Sequence, residues 1–572
     1  MQIPLSWISL YTDLSNLIAK KSIKDIAHEY SIHTAEIDGI EEHFIDKVVV
    51  GKVLSCEKHP ESKKLSIVKV YLGEYGEETI LTGAANIADA TYVPVAMVGA
   101  VLPGDFVIAD RMMAGMMSRG MICGADEIGM STEASTGIMI LEEDWEREVL
   151  EDMIGKSFFD LTLAHVGLDG KIYHFPLRDT TFEIDNKFIT NRPDLFSVLG
   201  NAREFHAVFD LPFVPYIPKN LPQNGEKLSV EIQTDKVLAY HLLSLDDISV
   251  EKSPFGIRLM LERSGLSPKN NLVDITNNIM TELGQPMHVF DRDMISGNIS
   301  VRMGKSGEKF IALDDKEYTL TDMDIVIADD EKILALAGII GGKSSSVTHE
   351  TKNTIWESAS FDPITVRLSS QRHGLRTDAS MRYEKSLDPL LANTTFSRVF
   401  DYLSFLGKTY KTKAEFHFTD VSKINHITIE IQESFIDSKA GIIIPTEIKE
   451  KILGDLGFSY TKKDTTYTIT VPSWRATKDI FIQEDIAEEI TRVYGYENTP
   501  LTPLSANFSI SSQNSEILLR NQTLSYFVDQ GANEVYNYSF TSETLNKKAL
   551  LDDMCDAIGI QNAFNEEYTH MS

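Results

Sequence analysis

Residues 271–291, NLVDITNNIMTELGQPMHVFD, change structural type within a single step. Polar residues open the stretch, a mixed apolar segment follows, and Gly284-Gln285-Pro286 breaks it. Proline has no N–H to donate and disfavours helical geometry in the residue before it, so a helix ends here. The pattern predicts one helix over 275–283, a sharp turn, and a short extended piece that presents His288. Thr276 and Asn277 fall at or near the predicted helix start, where short polar side chains cap free N–H groups. On these residues alone the stretch is a capped helix, a turn and a buried histidine.

At 572 residues the chain is too long for one core, and a prior of about 100–200 residues per domain predicts several. Its 54 Lys+Arg against 85 Asp+Glu leave a net charge of −31. That argues against non-specific nucleic-acid binding, which draws its affinity from phosphate neutralisation, and no DNA partner is expected. A local or shape-selective RNA site stays open. Cys56, Cys123 and Cys555 are far apart, with no CxxC pair, so neither a disulfide framework nor a structural zinc is indicated. The N-terminus lacks a basic stretch followed by an apolar run, and no run of about 18 apolar residues occurs. A cytoplasmic chain without a membrane span is expected.

In residues 1–39, Ile23, Ile26, Ala27 and Tyr30 stand at helical spacing behind Ser22 as a cap. Residues 40–150 carry β-branched runs at 48–53, 65–71 and 92–98, split by Gly, Pro and Asn turns, which predicts a small β-barrel. The loop 57–64 is locally basic, with Lys58, His59, Lys63 and Lys64, although acids and bases around it are roughly balanced. Asn191-Arg192-Pro193-Asp194 reads as a helix entrance, with Leu195, Val198, Leu199 and Ala202 as the apolar stripe. Residues 211–225 are Pro-rich and read as a linker into a large α+β unit.

Two further patterns each admit two readings. Residues 337–344 satisfy a loose phosphate-loop pattern, but the Ser-rich segment that follows is poor helix material and a P-loop must lead into a helix. A glycine-rich pocket wall or tight turn is expected instead. A helix predicted over 479–494 carries Asp485, Glu488 and Glu489. Asp485 and Glu489, like charges four residues apart, cost a few tenths of a kcal/mol that a cation would remove, and Mg²⁺ favours carboxylate oxygens. Alternatively the helix dipole favours acids in a first turn, and Glu488 pairs with Arg492.

Several of these segments, taken in order, resemble the β subunit of bacterial phenylalanyl-tRNA synthetase. VVVGKVLSCEKHPESKKLSIVKV and the strands after it look like its tRNA-binding barrel. Asn191-Arg192-Pro193-Asp194 resembles another of its signatures. LGQPMHVFD, LAGIIGG, IWESASF and RHGLRTDAS match its editing region, and WRATKDIFIQEDIAEEITRVYGY matches its domain ending in Tyr-Gly-Tyr. LRNQTLSYFVDQGANEVYNYSFTS looks like the start of its inactive class II module, which full-length members continue into an anticodon-binding domain; the chain is read as truncated there.

The resemblance implies a multidomain α+β fold. Residues 1–39 plus 151–200 would form an N-terminal module, with an OB-fold tRNA-binding barrel at 40–150 inserted in it. An editing domain at 201–418, a small α+β domain at 419–500 and an incomplete class II module at 501–572 would follow. It implies an α2β2 ligase in which the α subunit uses ATP and Mg²⁺ to attach phenylalanine to tRNA(Phe), while this chain supports synthesis and hydrolyses Tyr-tRNA(Phe). Glu357 would recognise the tyrosyl hydroxyl, Ala337 and Gly338 would line the ring pocket, and His288, Thr276 and Asn277 would hold the ester and water. Lys58, His59, Lys63 and Lys64 would contact tRNA, and Asp479, Asp485, Glu488 and Glu489 would bind Mg²⁺. A stand-alone trans-editing hydrolase and a non-enzymatic tRNA-binding scaffold are the alternatives.

Overall fold

Asn270 starts the central helix, Asn271–Leu283, by accepting the N–H groups of Leu272 and Val273, and Gly284 ends it with φ +83°. This computed structural model describes residues 1–219, 226–503, 506, 509, 511–549 and 557–571; Cys555 lies outside them. The helix begins at Asn271, not near Ile275, because Asn270 supplies the cap. Thr276 and Asn277 are therefore interior to it, a correction to their expected place at its start.

Past the break, Met287–Asp291 is a strand, as the extended reading requires. It is the edge of a five-stranded sheet ordered Glu226–Lys227, Lys411–Thr419, Val237–Asp246, Thr354–Phe361, Met287–Asp291. Side chains alternate across a strand, and the alternation sorts this sheet's faces. Leu243, Leu245, Val289 and Trp356 join the core that contains the Asn271–Leu283 helix. Tyr240, Leu242, Phe290, Ile355, Ala359 and Phe361 join a second core. That core is completed by another five-stranded sheet, Val230–Ile232, Ile299–Met303, Ile325–Ala328, Ile333–Leu336 and Ile340–Gly341.

The β-branched runs near the N-terminus form a five-stranded sheet ordered Met121–Ile122, Tyr92–Ala96, Val48–Lys58, Ser66–Tyr71, Glu77–Thr82. The Arg119 N–H donates to Thr79 O at 3.1 Å while Met121–Ile122 pairs with Tyr92–Ala96, so this segment curls the sheet into a barrel. On either side of it in sequence, Gln2–Pro4 and Ile37–His43 both pair with Asp179–Ile184. The helix Val198–Phe209 starts behind a Ser197 cap. Pro193–Phe196 is a separate 3-10 turn, so Asn191 to Asp194 do not open that helix as expected.

The described part of the expected linker, 211–219, is fastened down. The Val214 N–H donates to Tyr11 O (2.8 Å), the Tyr216 hydroxyl to Thr394 O (2.6 Å) and the Lys219 N–H to Ser397 Oγ (2.9 Å). Thr428–Gln432, Thr466–Thr470 and Ser459–Lys463 make a three-stranded sheet that shares a core with the helix Gln483–Tyr494. This helix starts later than the expected 479. Among the described residues no helix is long and apolar enough to cross a membrane. Residues 501–572 are a separate compact unit containing the helix Ser515–Asp529 and a small three-stranded sheet.

Candidate functional site

Strand register sets Glu357 directly opposite His288, with Leu242 on its other flank. Glu357 lies between Ile355 and Ala359 on the face of the second core, where it is 5% exposed. Its carboxyl makes no hydrogen bond or ion pair among the described residues, and burial pushes its pKa up to about 8. The His288 ring stands edge-on to Phe290 at 4.5 Å, and its Nε2 is enclosed without a partner. Burial lowers the imidazole to about 4. Near neutral pH the pair is thus two uncharged polar groups set in an apolar wall.

Other polar atoms converge on the same space. The Tyr240 hydroxyl is enclosed without a partner. The Tyr383 hydroxyl donates to Pro286 O at 3.2 Å. Burial first, then the nearby Glu357, holds both phenols well above their usual range. Gln285 Nε2 donates to Ala359 O (2.7 Å) and Pro286 O (3.0 Å), leaving its Oε1 unpaired. Nearly all buried polar groups in folded proteins find partners, so several orphans on one apolar face mark a place where a ligand can supply them.

Ala337 and Gly338 form the turn of a hairpin between Ile333–Leu336 and Ile340–Gly341. Gly338 has φ +69°, and a Cβ there would stand 3.1–3.2 Å from Tyr383, Phe361 and Val366. The stretch that continues from Gly342 is a 3-10 turn, Lys343–Ser345, not the helix a phosphate loop needs. Gly341 leaves room for the imidazole: a Cβ there would meet His288 Cε1 at 2.5 Å.

Thr276 and Asn277 are not gathered with this group. Their helix buries Leu272, Ile275, Ile279 and Leu283 in the core on the other side of the sheet. The Thr276 hydroxyl is committed to Val273 O at 2.7 Å. Tyr240, Tyr383 and Gly341 were missed from sequence. Tyr240 carried a readable signal, as a polar-tipped aromatic inside a leucine-rich apolar strand, but no residue spacing shows that it faces Glu357.

The run around Arg372 is a clasp. Asp324 accepts from Ser369 Oγ (2.6 Å) and Arg372, and His373 Nε2 lies 3.0 Å from its other oxygen. Thr377 caps the next helix and donates to Ile339 O (2.8 Å), fixing the hairpin.

In the basic loop Lys58, Lys63 and Lys64 are exposed. His59 is turned inward instead: it is 4% exposed, and its Nδ1 accepts the Glu61 N–H at 3.1 Å. It shapes the loop and does not present itself to a partner.

Of the four acids expected at a metal, Asp479, Asp485 and Glu489 are engaged within the chain. Asp479 accepts from Arg475 and from Asn191 Nδ2 (2.8 Å), and lies 3.7 Å from Arg192. Glu489 is held by Arg475 (2.8 Å) and by Arg492 (2.7 and 2.8 Å). Arg492 also reaches Glu204 (2.7 Å), so it does not pair with Glu488 as expected. Asp485 accepts the N–H groups of Phe481 (2.7 Å) and Ile482 (3.0 Å), and Glu488 is exposed. Among the described residues no three His, Cys, Asp or Glu are grouped to hold a metal ion. A Mg²⁺ cage built from these four carboxylates does not fit this arrangement, because Asp479 and Glu489 would have to leave buried arginines. The arginines join the Asn191–Asp194 turn to the helix Gln483–Tyr494, and that long-range pairing was not visible in the sequence.

Family models match three stretches of the chain: a tRNA binding domain at residues 48–147, a B3/4 domain at 238–408 and a tRNA synthetase B5 domain at 429–496. The Glu357–His288 pair lies within the second. The chain is 32% identical over 583 residues to the phenylalanine–tRNA ligase beta subunit of Clostridium tetani, covering 100% of this chain and 70% of that protein. It is 33% identical over 557 residues to the subunit of the same name from Yersinia pestis, covering 96% and 66%. The Bacillus cereus subunit is 32% identical over 587 residues, covering 100% and 69%.

Proposed function

The chain belongs to the phenylalanine–tRNA ligase β-subunit family, and from that premise we propose that it is the proofreading and tRNA-holding partner of an α subunit in a cytoplasmic α2β2 enzyme. In this reading the α subunit joins phenylalanine to tRNA(Phe) with ATP and Mg²⁺. The barrel at 40–150 holds tRNA through Lys58, Lys63 and Lys64, and the 201–418 domain hydrolyses Tyr-tRNA(Phe). Residues 1–39 plus 151–200, 419–500 and 501–572 serve as the remaining modules. Because the acids at 479–489 do not fit a Mg²⁺ cage, no step is assigned to a metal on this chain.

Proofreading answers a physical limit. A pocket shaped for phenylalanine rejects a ligand that merely adds a hydroxyl by only about 10². A second pocket that hydrogen-bonds that hydroxyl reverses the preference, since phenylalanine leaves its polar groups unpaired, at roughly 1–3 kcal/mol each. The observation that carries the reading is Glu357: a buried, unpartnered carboxyl kept protonated near neutral pH, able to donate to or accept from a phenol. The neutral imidazole of His288 directly across the strand pair completes a polar notch in apolar walls. Ala337 and Gly338 line the ring's side of that notch. His288 positions the ester and an attacking water. An aminoacyl ester is already activated, so orientation of water suffices and no nucleophilic triad is needed. Thr276 and Asn277 act through the helix that precedes the break and have no direct role.

The test is hydrolysis of Tyr-tRNA(Phe) by the chain, with Phe-tRNA(Phe) as control, with and without the α subunit. Selective loss of the tyrosyl ester supports the reading. Equal rates on both esters, or none in either condition, overturns it.

A further inference from the structure

A cavity of about 330 Å³ lies where the helix Val198–Phe209, the Leu283–Gly284 helix end and the turn around Trp474 meet. Its lining includes neither Glu357 nor His288, and Leu283 and Leu199 belong to the core on the other side of the central sheet, while Leu387 joins the second core. Phe213, Tyr216, Leu387 and Leu391 give it apolar walls. The Arg203 guanidinium carbon stands over the Trp474 ring, 4.3 Å from its centre, with Phe213 at 5.8 Å.

The polar groups of the lining sort sharply. Asp194 is held by Arg192 at 2.9 Å. Asp455 is held by Lys451 (2.5 Å) and stands 3.3 Å from His206. Asp388 accepts from Ser473 Oγ (2.5 Å) and the Leu390 N–H (2.9 Å). The Ser197 hydroxyl donates to Asp194 O, and Tyr216 donates to Thr394 O. Two donors are left over. Arg203 makes no hydrogen bond or ion pair among the described residues, and Trp474 Nε1 is enclosed without a partner. Arg203 is half-buried, and the Asp194 and Glu204 carboxylates attract it without a hydrogen bond, so its N–H fork stays open to an acceptor in the cavity. Burial lowers Arg203 to about 10, which leaves it charged at neutral pH.

The requirement on an occupant follows. It must bring acceptors and no donors, carry negative charge, and fill an aromatic-walled space. We propose that this cavity binds a small carboxylate with an aryl body, the carboxylate on Arg203 and Trp474 Nε1 and the ring among Phe213, Tyr216 and Leu391. A carboxylate matches the planar fork of an arginine. Asp194, the lining acid that acts most on Arg203, takes its hydrogen bonds from Arg192 and leaves the Arg203 N–H groups unfilled.

Calorimetric titration of the full chain with benzoate tests this, with acetate (no aryl body) and benzyl alcohol (no charge) as controls. Saturable benzoate binding, about tenfold tighter than either control, is expected. Arg203→Met keeps the stem against Trp474 and removes the donors, and should weaken benzoate by about tenfold or more. Trp474→Phe keeps an aromatic ring and removes the N–H, with a smaller loss. No saturation up to about 10 mM, a regime of affinity near the weakest specific binding, overturns the site. So does equal binding of benzyl alcohol. If Arg203→Met fails to fold, as read by thermal melting, unchanged affinity in Trp474→Phe together with equal control binding overturns it.

Discussion

Gly341 and His288 occupy one space between them: a Cβ on Gly341 would stand 2.5 Å from His288 Cε1 and 2.8 Å from Nε2. The imidazole cannot retreat freely, because Phe290 meets it edge-on at 4.5 Å. Gly341→Ala should therefore shift the ring, at a cost of roughly 1–3 kcal/mol typical of overpacking. The expected outcome is a folded protein, slightly lowered in melting temperature, with Tyr-tRNA(Phe) clearance reduced well beyond the stability change. Clearance at the parent rate would show that the position of His288 is immaterial.

Glu357 should reveal its burial through pH. Its carboxyl titrates near 8 in the fold against 4.5 ordinarily. The unfolded chain releases this proton first as pH rises, so stability from this group is fully present below about 4.5 and is lost progressively until about 8. The loss runs at about 1.4 kcal/mol per unit across that window. Glu357→Gln, neutral at every pH, should gain stability over the parent from pH 5 to 8 in urea unfolding, then keep a constant lead. A lead that does not change with pH would mean that the carboxyl ionises normally. Glu357→Ala should fold and fail to discriminate tyrosyl from phenylalanyl ester.

The barrel strands and the break before His288 could be read from sequence because both depend on local rules, β-branched runs and a Gly-Gln-Pro stop. The start of the Asn271–Leu283 helix was misplaced because several polar residues could cap it, and only packing selects Asn270. The Glu357–His288 pair was reachable solely through resemblance: 69 positions separate strands whose register is fixed by the sheet (357 minus 288). Glu489 shows the same limit. Its neighbours in sequence suggested a cation site, but Arg475 and Arg492 occupy it, and Arg492 is in turn held by Glu204 from a different helix. Charges that pair across the chain leave no spacing to read.

That arginine cluster should behave as a structural clamp. Removing Arg492 leaves buried Glu204 with Arg192 alone and buried Glu489 with Arg475 alone, so Arg492→Leu should cost up to about 3–5 kcal/mol. An exposed pair such as Lys309–Glu317 should cost under about 1 kcal/mol. The Arg492 and Arg192 guanidiniums outweigh burial and hold Glu204 down at about 2. A depressed carboxylate stabilises above its ordinary range, and that stability is lost as pH falls from about 4.5 toward 2. Acid unfolding of Arg492→Leu should accordingly begin at higher pH than that of the parent, by circular dichroism.

A Mg²⁺ site on the acids at 479–489 would make itself felt as a melting temperature that rises with metal, because a ligand that binds the folded state stabilises it by mass action. With Asp479, Asp485 and Glu489 engaged by arginines and backbone and only Glu488 exposed, the isolated chain should melt at the same temperature in Mg²⁺ and in chelator at matched ionic strength. A rise specific to Mg²⁺, removed by Asp485→Asn with Glu488→Gln, would show that the carboxylates leave their partners to take the ion.

Lys58, Lys63 and Lys64 and the inward-facing His59 should separate cleanly. The lysines are exposed and can neutralise phosphates, each adding about one to the slope of log affinity against log salt. Lys63→Ala with Lys64→Ala should weaken tRNA binding and lower that slope by up to about two, leaving the melting temperature in place. His59→Ala removes the acceptor of the Glu61 N–H and empties a buried site, so it should lower the melting temperature and leave the salt slope of the folded protein nearly unchanged. Filter binding across a salt series, paired with thermal melts, distinguishes the two. Lysine variants with an unchanged slope would move the tRNA contact off this loop.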